Sequence, residues 1–217
     1  MTVRRALIVG SAPVPERFEH YGELIGSSDI LIAADGGAEL CLHFGKVPDV
    51  CVGDFDSASP ETLARISELG GEIRRFSAVK DVSDLDIAVG VARELVAGTI
   101  TVIAAFSERL DHTLAALGTL ARAADLHAVA DEGVWVAHAL CATSHAELVL
   151  AEAPGTVLSV IALGGDACVS IGGVAYPVDK AQLRALSSLG LSNVAVEPAQ
   201  HLTVSAGQAI VIVNKAV

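Results

Sequence analysis

From the N-terminus to about residue 126, short apolar runs alternate with stretches of helical period. Residues 6–10 (ALIVG), 30–34 (ILIAA), 50–54 (VCVGD), 72–76 (EIRRF) and 99–106 (TITVIAAF) have strand composition. Between them, 35–45 (DGGAELCLHFG) reads as a turn and a short helix. Residues 59–71 (SPETLARISELGG) form a punctuated helix: Ser59 is placed to cap it, Pro60 suits its first position and Gly70-Gly71 ends it. Residues 83–98 are amphipathic, with Leu85, Ala88, Ala92, Leu95 and Val96 near one face, and 111–125 read as a further helix. This β–α alternation predicts a mostly parallel sheet covered by helices.

Beyond about residue 126 the period changes. Residues 127–140, 145–151, 155–165, 167–178 and 201–215 are β-type runs separated by Gly, Pro, Asp and Asn. One stretch, 179–190 (DKAQLRALSSLG), has a helical pattern and is expected as a helical insert. The expectation is an α/β fold with a mostly parallel sheet and flanking helices over residues 1–130, followed by an all-β sandwich over 131–217.

Composition narrows the class. Of the 217 residues, 52% are hydrophobic and 18% charged, so a filled core is expected and disorder is not. Aromatics are only 4%, which leaves Val, Leu, Ile and Ala to pack the core, as buried parallel strands require. The net charge is −12 and no Lys/Arg run tracks a phosphate backbone, which argues against nucleic acid. Cys41, Cys51, Cys141 and Cys168 fit no zinc spacing and sit among apolar neighbours, as buried thiols of a reducing compartment do. The apolar run after Arg4-Arg5 is too short for a signal segment and reads as a first strand. No apolar stretch reaches membrane-spanning length, so a soluble cytoplasmic protein is expected.

The candidate chemistry lies at the strand ends. GDFDS (53–57) places Asp54 and Asp56 one residue apart just past an apolar strand. Two carboxylates held ~6 Å apart at an effective dielectric of about 20 repel by roughly 3 kcal/mol, so something should offset that repulsion. Three more acidic motifs fall at such junctions: Asp35-Gly36-Gly37, Lys80-Asp81-Val82-Ser83-Asp84, and Arg109-Leu110-Asp111-His112. In parallel sheets ligands bind beyond the carboxyl ends of strands. Carboxylates gathered on one rim suit a hard divalent ion such as Mg2+, an oxygen-liganded partner of substrate phosphates. Each motif also has a purely structural explanation. Asp35 can form an Asx-turn, Asp56 and Ser57 can belong to the turn before Pro60, Ser83 with Asp86 can make a capping box, and Asp111 can cap its helix.

No P-loop, dinucleotide fingerprint, HExxH or GxSxG motif is present. His112, beside Asp111, is the one histidine in a suggestive setting; Trp135 and Tyr176 lie in the β region, where a lone aromatic usually packs, although one at a domain junction could stack on a flat ring.

In series, ADGGA, PDVCVGDFDS, KDVSDLDIAV and RLDHTLAAL, across 34–117, resemble the thiamine pyrophosphokinase family in order and spacing. GVAYPV (173–178), GLSNV (190–194) and SAGQAIVIV near the end extend the resemblance over most of the chain. The resemblance implies an α/β domain for ATP, a β-sandwich for thiamine, and a homodimer with thiamine bound between the α/β domain of one subunit and the sandwich of the other. It implies transfer of a pyrophosphoryl group from ATP to the thiamine hydroxyl, giving thiamine diphosphate and AMP. By the same resemblance, Asp54, Asp56, Asp84 and Asp111 surround Mg2+ and the phosphates, with Arg109 meeting developing charge. Asp35, Gly36, Gly37, Ser57, Lys80, Ser83, Arg109 and His112 shape the nucleotide pocket, and Tyr176, Ser192 and Asn193 face thiamine. The chain departs from the family in one place, carrying Ser107-Glu108 where a Gly-Gly pair is usual. Side chains there are expected to obstruct close backbone approach to phosphate, with weaker ATP binding, a shifted loop or an altered substrate as the result.

Three other readings stay open on the residues. DFDS resembles the DxDx[ST] nucleophile motif of haloacid dehalogenase-type phosphatases, although that motif normally follows the first strand. A nucleotide- or thiamine-sensing module without turnover is a second. A pyrophosphokinase acting on another alcohol, such as a pterin, is a third.

Overall fold

A computed structural model describes residues 3–79 and 81–215. The chain forms two compact units, Met1–Thr119 and Leu120–Val217.

The first unit contains β1 (Arg5–Val9), α1 (Phe18–Ser27), β2 (Ile30–Ala34), α2 (Gly37–His43), β3 (Val50–Gly53), α3 (Pro60–Glu68), β4 (Glu72–Arg75), α4 (Asp84–Glu94), β5 (Thr99–Ile103) and most of α5 (Leu110–Arg122). Its strands pair in parallel in the order β5-β1-β2-β3-β4. The central strands are buried on both faces, β2 along its whole length, which explains their unbroken apolar runs. Leu7, Val9, Leu31, Ala33 and Cys51 share one core with Tyr21 and Ile25 of α1, Leu40 and Cys41 of α2, and Leu63 and Ile66 of α3. Helix α4 packs on β1, β2 and β3, and its buried Ala88, Val91 and Ala92 belong to no part of that core, so it covers the opposite face. Each fully buried isoleucine, such as Ile8, Ile32 or Ile66, contributes about 1.5–3 kcal/mol by burial.

Sequence punctuation is realised at both capped helices. The Ser59 hydroxyl accepts from the Thr62 N–H at 3.1 Å, with Pro60 at the first position of α3. Ser83 accepts from the Asp86 N–H at 3.1 Å, and Asp86 accepts in return from the Ser83 N–H at 3.3 Å, closing a capping box on α4. Two boundaries differ from the sequence reading. Strand β5 stops at Ile103 because Ala104 adopts φ 53° and turns the chain. Helix α1 has no counterpart in that reading, since its buried stripe is only Tyr21 and Ile25.

The second unit contains β6 (Val129–Asp131), β7 (Trp135–Cys141), β8 (Glu147–Leu150), β9 (Val157–Ala162), β10 (Ala167–Gly172), β11 (Val178–Leu183), β12 (Asn193–Val194), β13 (Gln200–Ala206) and β14 (Gln208–Asn214). Its strands are antiparallel in two layers, β12-β9-β14-β7-β6 and β11-β10-β13-β8. Leu158, Val160, Val211 and Val213 of the first layer share a core with Val169, Ile171, Leu202 and Val204 of the second, as a sandwich requires. The chain passes between layers at the tight β13–β14 turn, where Gly207 takes φ 75°. Strand β6 pairs with β7 and so belongs with the sandwich, and the two compact units are divided within α5.

The helical insert expected over 179–190 is overturned. Its first part is the edge strand β11, and a short 3-10 turn, Ser188–Gly190, follows. The open edge of β10 supplies backbone partners that a solvent-exposed helix would not, and this outweighs the modest helix propensity of DKAQLRAL. A bulge fits the strand to that edge: Lys180 takes φ 49° and its N–H donates to the Ser170 hydroxyl at 2.9 Å.

No helix of the described residues is long and apolar enough to cross a membrane. All four cysteines are free thiols. Burial pushes the Cys51 thiol up to about 12 and raises Cys41 further still, while a hydrogen bond with the Thr143 hydroxyl lowers Cys141. Cys141 is also partly exposed, whereas the other three are buried. Limiting iodoacetamide at neutral pH is therefore expected to modify Cys141 first in the native chain, with all four reacting after unfolding. Peptide mapping by mass spectrometry checks the order.

Candidate functional site

Strand order sets the location. The chain runs β1 to β4 outward across the sheet, then returns to place β5 on the other side of β1. The switch leaves a crevice beyond the carboxyl end of β1. A cleft of about 440 Å³ occupies it, lined by Gly10 and Ser11 after β1, Asp35 after β2, Asp54 and Asp56 after β3, and Ser107 after β5. Ser83, Asp84 and Leu85 at the start of α4, and His112 and Ala116 of α5, complete the wall. The volume lies within the ~300–1,000 Å³ usual for small-molecule clefts.

Backbone geometry at the strand ends is unusual. Asp35 and Phe55 take φ 49° and 60°, in the left-handed region. Gly53 takes φ 149°, and a Cβ there would lie 3.2 Å from the Asp35 Cα. A Cβ on Gly37, the first residue of α2, would run into the Val9 carbonyl oxygen, so glycine allows α2 to start directly against β1. These turns draw together one carboxylate oxygen each from Asp35, Asp54 and Asp56, all within 4.8 Å of one another.

Asp35 is 8% exposed, its Oδ2 accepts a hydrogen bond from the Ser57 hydroxyl, and its Oδ1 is buried with no hydrogen-bond partner among the described residues. A buried, unpartnered carboxylate oxygen is expensive unless a cation completes it. An all-oxygen donor set of this charge fits a hard divalent ion such as Mg2+, with Asp35, Asp54 and Asp56 as its ligands. The Asp54 Oδ1 also accepts from the Asp56 N–H at 3.2 Å, an Asx-turn that fixes the spacing of the pair.

The sequence-predicted residues distribute unevenly. Asp35, Asp54, Asp56, Ser83, Asp84 and His112 line the cleft. Gly36 and Ser57 lie beside it, since a Cβ on Gly36 would approach the Ser57 hydroxyl at 3.1 Å. Asp35, expected among the nucleotide contacts, is a member of the close carboxylate group. Asp111, expected as a metal ligand, is not in that group. It is exposed and salt-bridged to Arg109 at 2.7 Å, and this hydrogen bond holds its carboxyl below the usual carboxylate range. Lys80 lies outside the described residues.

Ser107 and Glu108 separate in role. Ser107 lines the cleft, its hydroxyl accepts from the Arg109 N–H at 3.2 Å, and its carbonyl accepts from the Thr113 hydroxyl at 2.9 Å. Glu108 is exposed, and neither residue has the positive φ that would require glycine. Sequence reasoning missed Gly10, Ser11 and Ala12. A small-residue run directly after the first strand is the signal that could have found them.

In the second unit, Tyr176 and Asn193 line an apolar pocket of about 310 Å³ floored by Val160, Val169 and Ile171. The Asn193 side chain accepts from the Tyr176 N–H at 3.0 Å and donates to its carbonyl at 2.8 Å, tying the two walls together. Ser192 takes φ 57° and its N–H donates to the Ser159 hydroxyl at 3.1 Å.

The chain thus joins a parallel α/β unit with an acidic cleft at its strand ends to an antiparallel sandwich with an apolar pocket. The family model described as thiamin pyrophosphokinase, catalytic domain, matches residues 21–139, and the chain belongs to that family. A thiamine pyrophosphokinase of Bacillus subtilis (strain 168) is 32% identical over 95 residues, a match covering 42% of this chain and 44% of that relative, less than half its length. Among solved structures, thiamine pyrophosphokinase from Bacillus subtilis superposes with a TM-score of 0.82 at 21% identity, covering 99% of this chain and 100% of that one. Thiamin pyrophosphokinase from Candida albicans gives 0.79 at 14% identity, covering 99% and 90%. These likenesses extend the fold across both units.

One packing contact beneath the cleft is testable now. Asp86 closes the α4 capping box and also accepts from the buried Thr119 hydroxyl of α5 at 2.7 Å. Asp86→Ala removes both and is expected to lower stability by about 1–2 kcal/mol. Urea unfolding monitored by circular dichroism measures it.

Proposed function

We propose that the chain transfers a pyrophosphoryl group from ATP to the hydroxyl of thiamine, giving thiamine diphosphate and AMP. The observation that carries this is the close grouping of Asp35, Asp54 and Asp56 in a cleft at the switch point of the parallel sheet, in a chain of this family. Residues 1–130 would bind the nucleotide and 131–217 thiamine. The apolar pocket with Tyr176 suits a flat aromatic ring, with Asn193 as its polar edge; Ser192, between the lining residues Leu191 and Asn193 but not itself in the lining, would support that edge. The complete site would form in a homodimer, between the α/β unit of one copy and the sandwich of the other. Four free thiols fit a cytoplasmic location.

The reaction needs little covalent work from the protein. The thiamine oxygen attacks the β-phosphorus in line and AMP leaves, so positioning and charge neutralisation dominate. Asp54 and Asp56, with Asp35 behind them, would hold Mg2+. When bound, that ion would neutralise phosphate oxygens and the charge that grows on them. Asp84, at the first position of α4, extends the acidic wall. Gly36, Gly37 and Ser57, next to Asp35 and Asp56 of the lining, would help shape the pocket from beside it, and Ser83 and His112 face the cleft. Arg109, held beside Asp111 at the start of α5, and Lys80 would meet the triphosphate, with Asp111 supporting the phosphate side. A carboxylate of the cleft would accept the hydroxyl proton.

The phosphatase reading fares poorly on placement, because DFDS follows β3 with β1 and β2 before it. Incubation with ATP, Mg2+ and thiamine is expected to yield AMP and thiamine diphosphate in equal amounts, and Asp54→Asn to lower turnover about 100-fold or more. Inorganic phosphate released from a monoester instead would establish the phosphatase. Binding without AMP would establish a sensor, and AMP formed only with another alcohol a different acceptor.

The serine turn gives a second expectation. Replacing Ser107 and Glu108 together by glycine should tighten ATP binding, read by isothermal titration. An unchanged affinity would show that Ser107 does not obstruct the phosphates.

A further inference from the structure

The turn that presents Asp54 and Asp56 is gripped from the neighbouring strand. Phe55, between the two aspartates, sits at φ 60° although it is bulky and buried. That conformation costs a non-glycine residue roughly 1–2 kcal/mol, so unaided it would tend to relax. Arg75, the last residue of β4, is the register partner of Gly53. Its Nη1 donates to the Asp54 carbonyl at 2.7 Å, and its guanidinium carbon lies 5.0 Å from the centroid of the Phe55 ring. One side chain thus holds both the carbonyl before the left-handed residue and the ring of that residue. Arg74, its chain neighbour, is instead bound to Glu72 at 2.8 Å and Glu94 at 2.5 Å.

We propose that Arg75 is a positioning residue that locks the Asp54–Asp56 turn in its metal-binding shape. The proposal rests on the reading of these carboxylates as cation ligands. Its physical content is specific to arginine. The planar guanidinium can hydrogen-bond the carbonyl edge-on while facing the ring, and its fixed positive charge stands close to a group of carboxylates that repel one another. Lysine supplies the charge but neither the planar face nor the forked donors. Without the grip Phe55 leaves the left-handed region, and the Asp54 and Asp56 carboxylates drift from Asp35.

The test uses the full chain and Mn2+ as the probe, with free Mn2+ read by electron paramagnetic resonance. Arg75→Gln is expected to weaken Mn2+ binding about tenfold, the size of one lost charge-assisted hydrogen bond. Arg75→Lys should recover only part of that. Arg74→Gln, on the same strand but outside the turn, should bind as the native chain does. In turnover, Arg75→Gln should raise the Mg2+ concentration for half-maximal rate and leave the KM for thiamine unchanged, a split that general destabilisation would not produce. If Arg75→Gln fails to fold, Phe55→Leu, which removes the ring and keeps the carbonyl bond, serves in its place and should weaken Mn2+ binding by a smaller factor. Native affinity in every folded Arg75 and Phe55 variant overturns the proposal. Absence of Mn2+ binding by the native chain overturns both the proposal and the cation-site reading beneath it, whereas native Mn2+ binding without thiamine diphosphate formation leaves Arg75 in its role and removes only the proposed reaction.

Discussion

Three carboxylates, those of Asp35, Asp54 and Asp56, are brought within 4.8 Å of one another by a backbone that gives them little room to separate. At that distance and an effective dielectric of about 20, each pair repels by roughly 3–4 kcal/mol. The source of the constraint is the sheet. Ala34 of β2 and Val52 of β3 are register partners in a parallel pair, so the residues that follow each strand emerge side by side. The Asp35 N–H donates back to the Val52 carbonyl at 2.8 Å, and the Phe76 N–H to the Gly53 carbonyl at 2.8 Å, which extends the ladder one step past the strands. Rigid strands thus set the positions of charges that free chains would keep apart.

The rest of the first unit can be understood as tolerating that arrangement. Strain is concentrated where the ladder ends: Asp35, Phe55 and Ala104 all take positive φ at the carboxyl ends of β2, β3 and β5. Glycines occupy the positions where a Cβ would collide, at Gly37 against Val9 and Gly53 against Asp35. The buried Asp35 oxygen without a partner is the residual imbalance. A cation at this point would offset the repulsion and satisfy that oxygen together.

Much of this was legible in the chain itself. The apolar runs of β1, β2 and β3 needed no tertiary information because both faces are buried, and the Ser59 and Ser83 caps were readable because capping is local. The acidic motifs after β2 and β3 could be assigned to one rim once a parallel sheet was granted. What the chain did not disclose depends on distant partners. Asp35 was expected among the nucleotide contacts, and its place in the close carboxylate group rests on burial and on its hydrogen bond with Ser57, 22 residues away in sequence. Arg75 carried no signal at all: its partners, Asp54 and Phe55, lie twenty residues away in sequence and adjacent only through β3–β4 pairing.

The misread segment of the second unit shows the same principle from the opposite side. DKAQLRAL has respectable helix formers, and an isolated chain would show no reason to extend it. Strand β10 leaves an edge open, and β11 closes it, turning Val178, Ala181 and Leu183 toward the apolar pocket. The 3-10 turn after it can then close over the sheet because Gly190 meets the Val160 carbonyl where any Cβ would collide. Had this segment been a helix, the β10 edge would lack its partner and the pocket one wall. The apolar pocket is therefore a consequence of sheet completion, and its lining, without Asp, Glu, Lys, Arg or His, contrasts with the acidic cleft of the first unit. The clustered carboxylates and the apolar pocket thus lie in different units of the chain. A protein that must hold clustered carboxylates for one ligand and a dry surface for another gains from that separation, because each environment would weaken the other if they shared one wall.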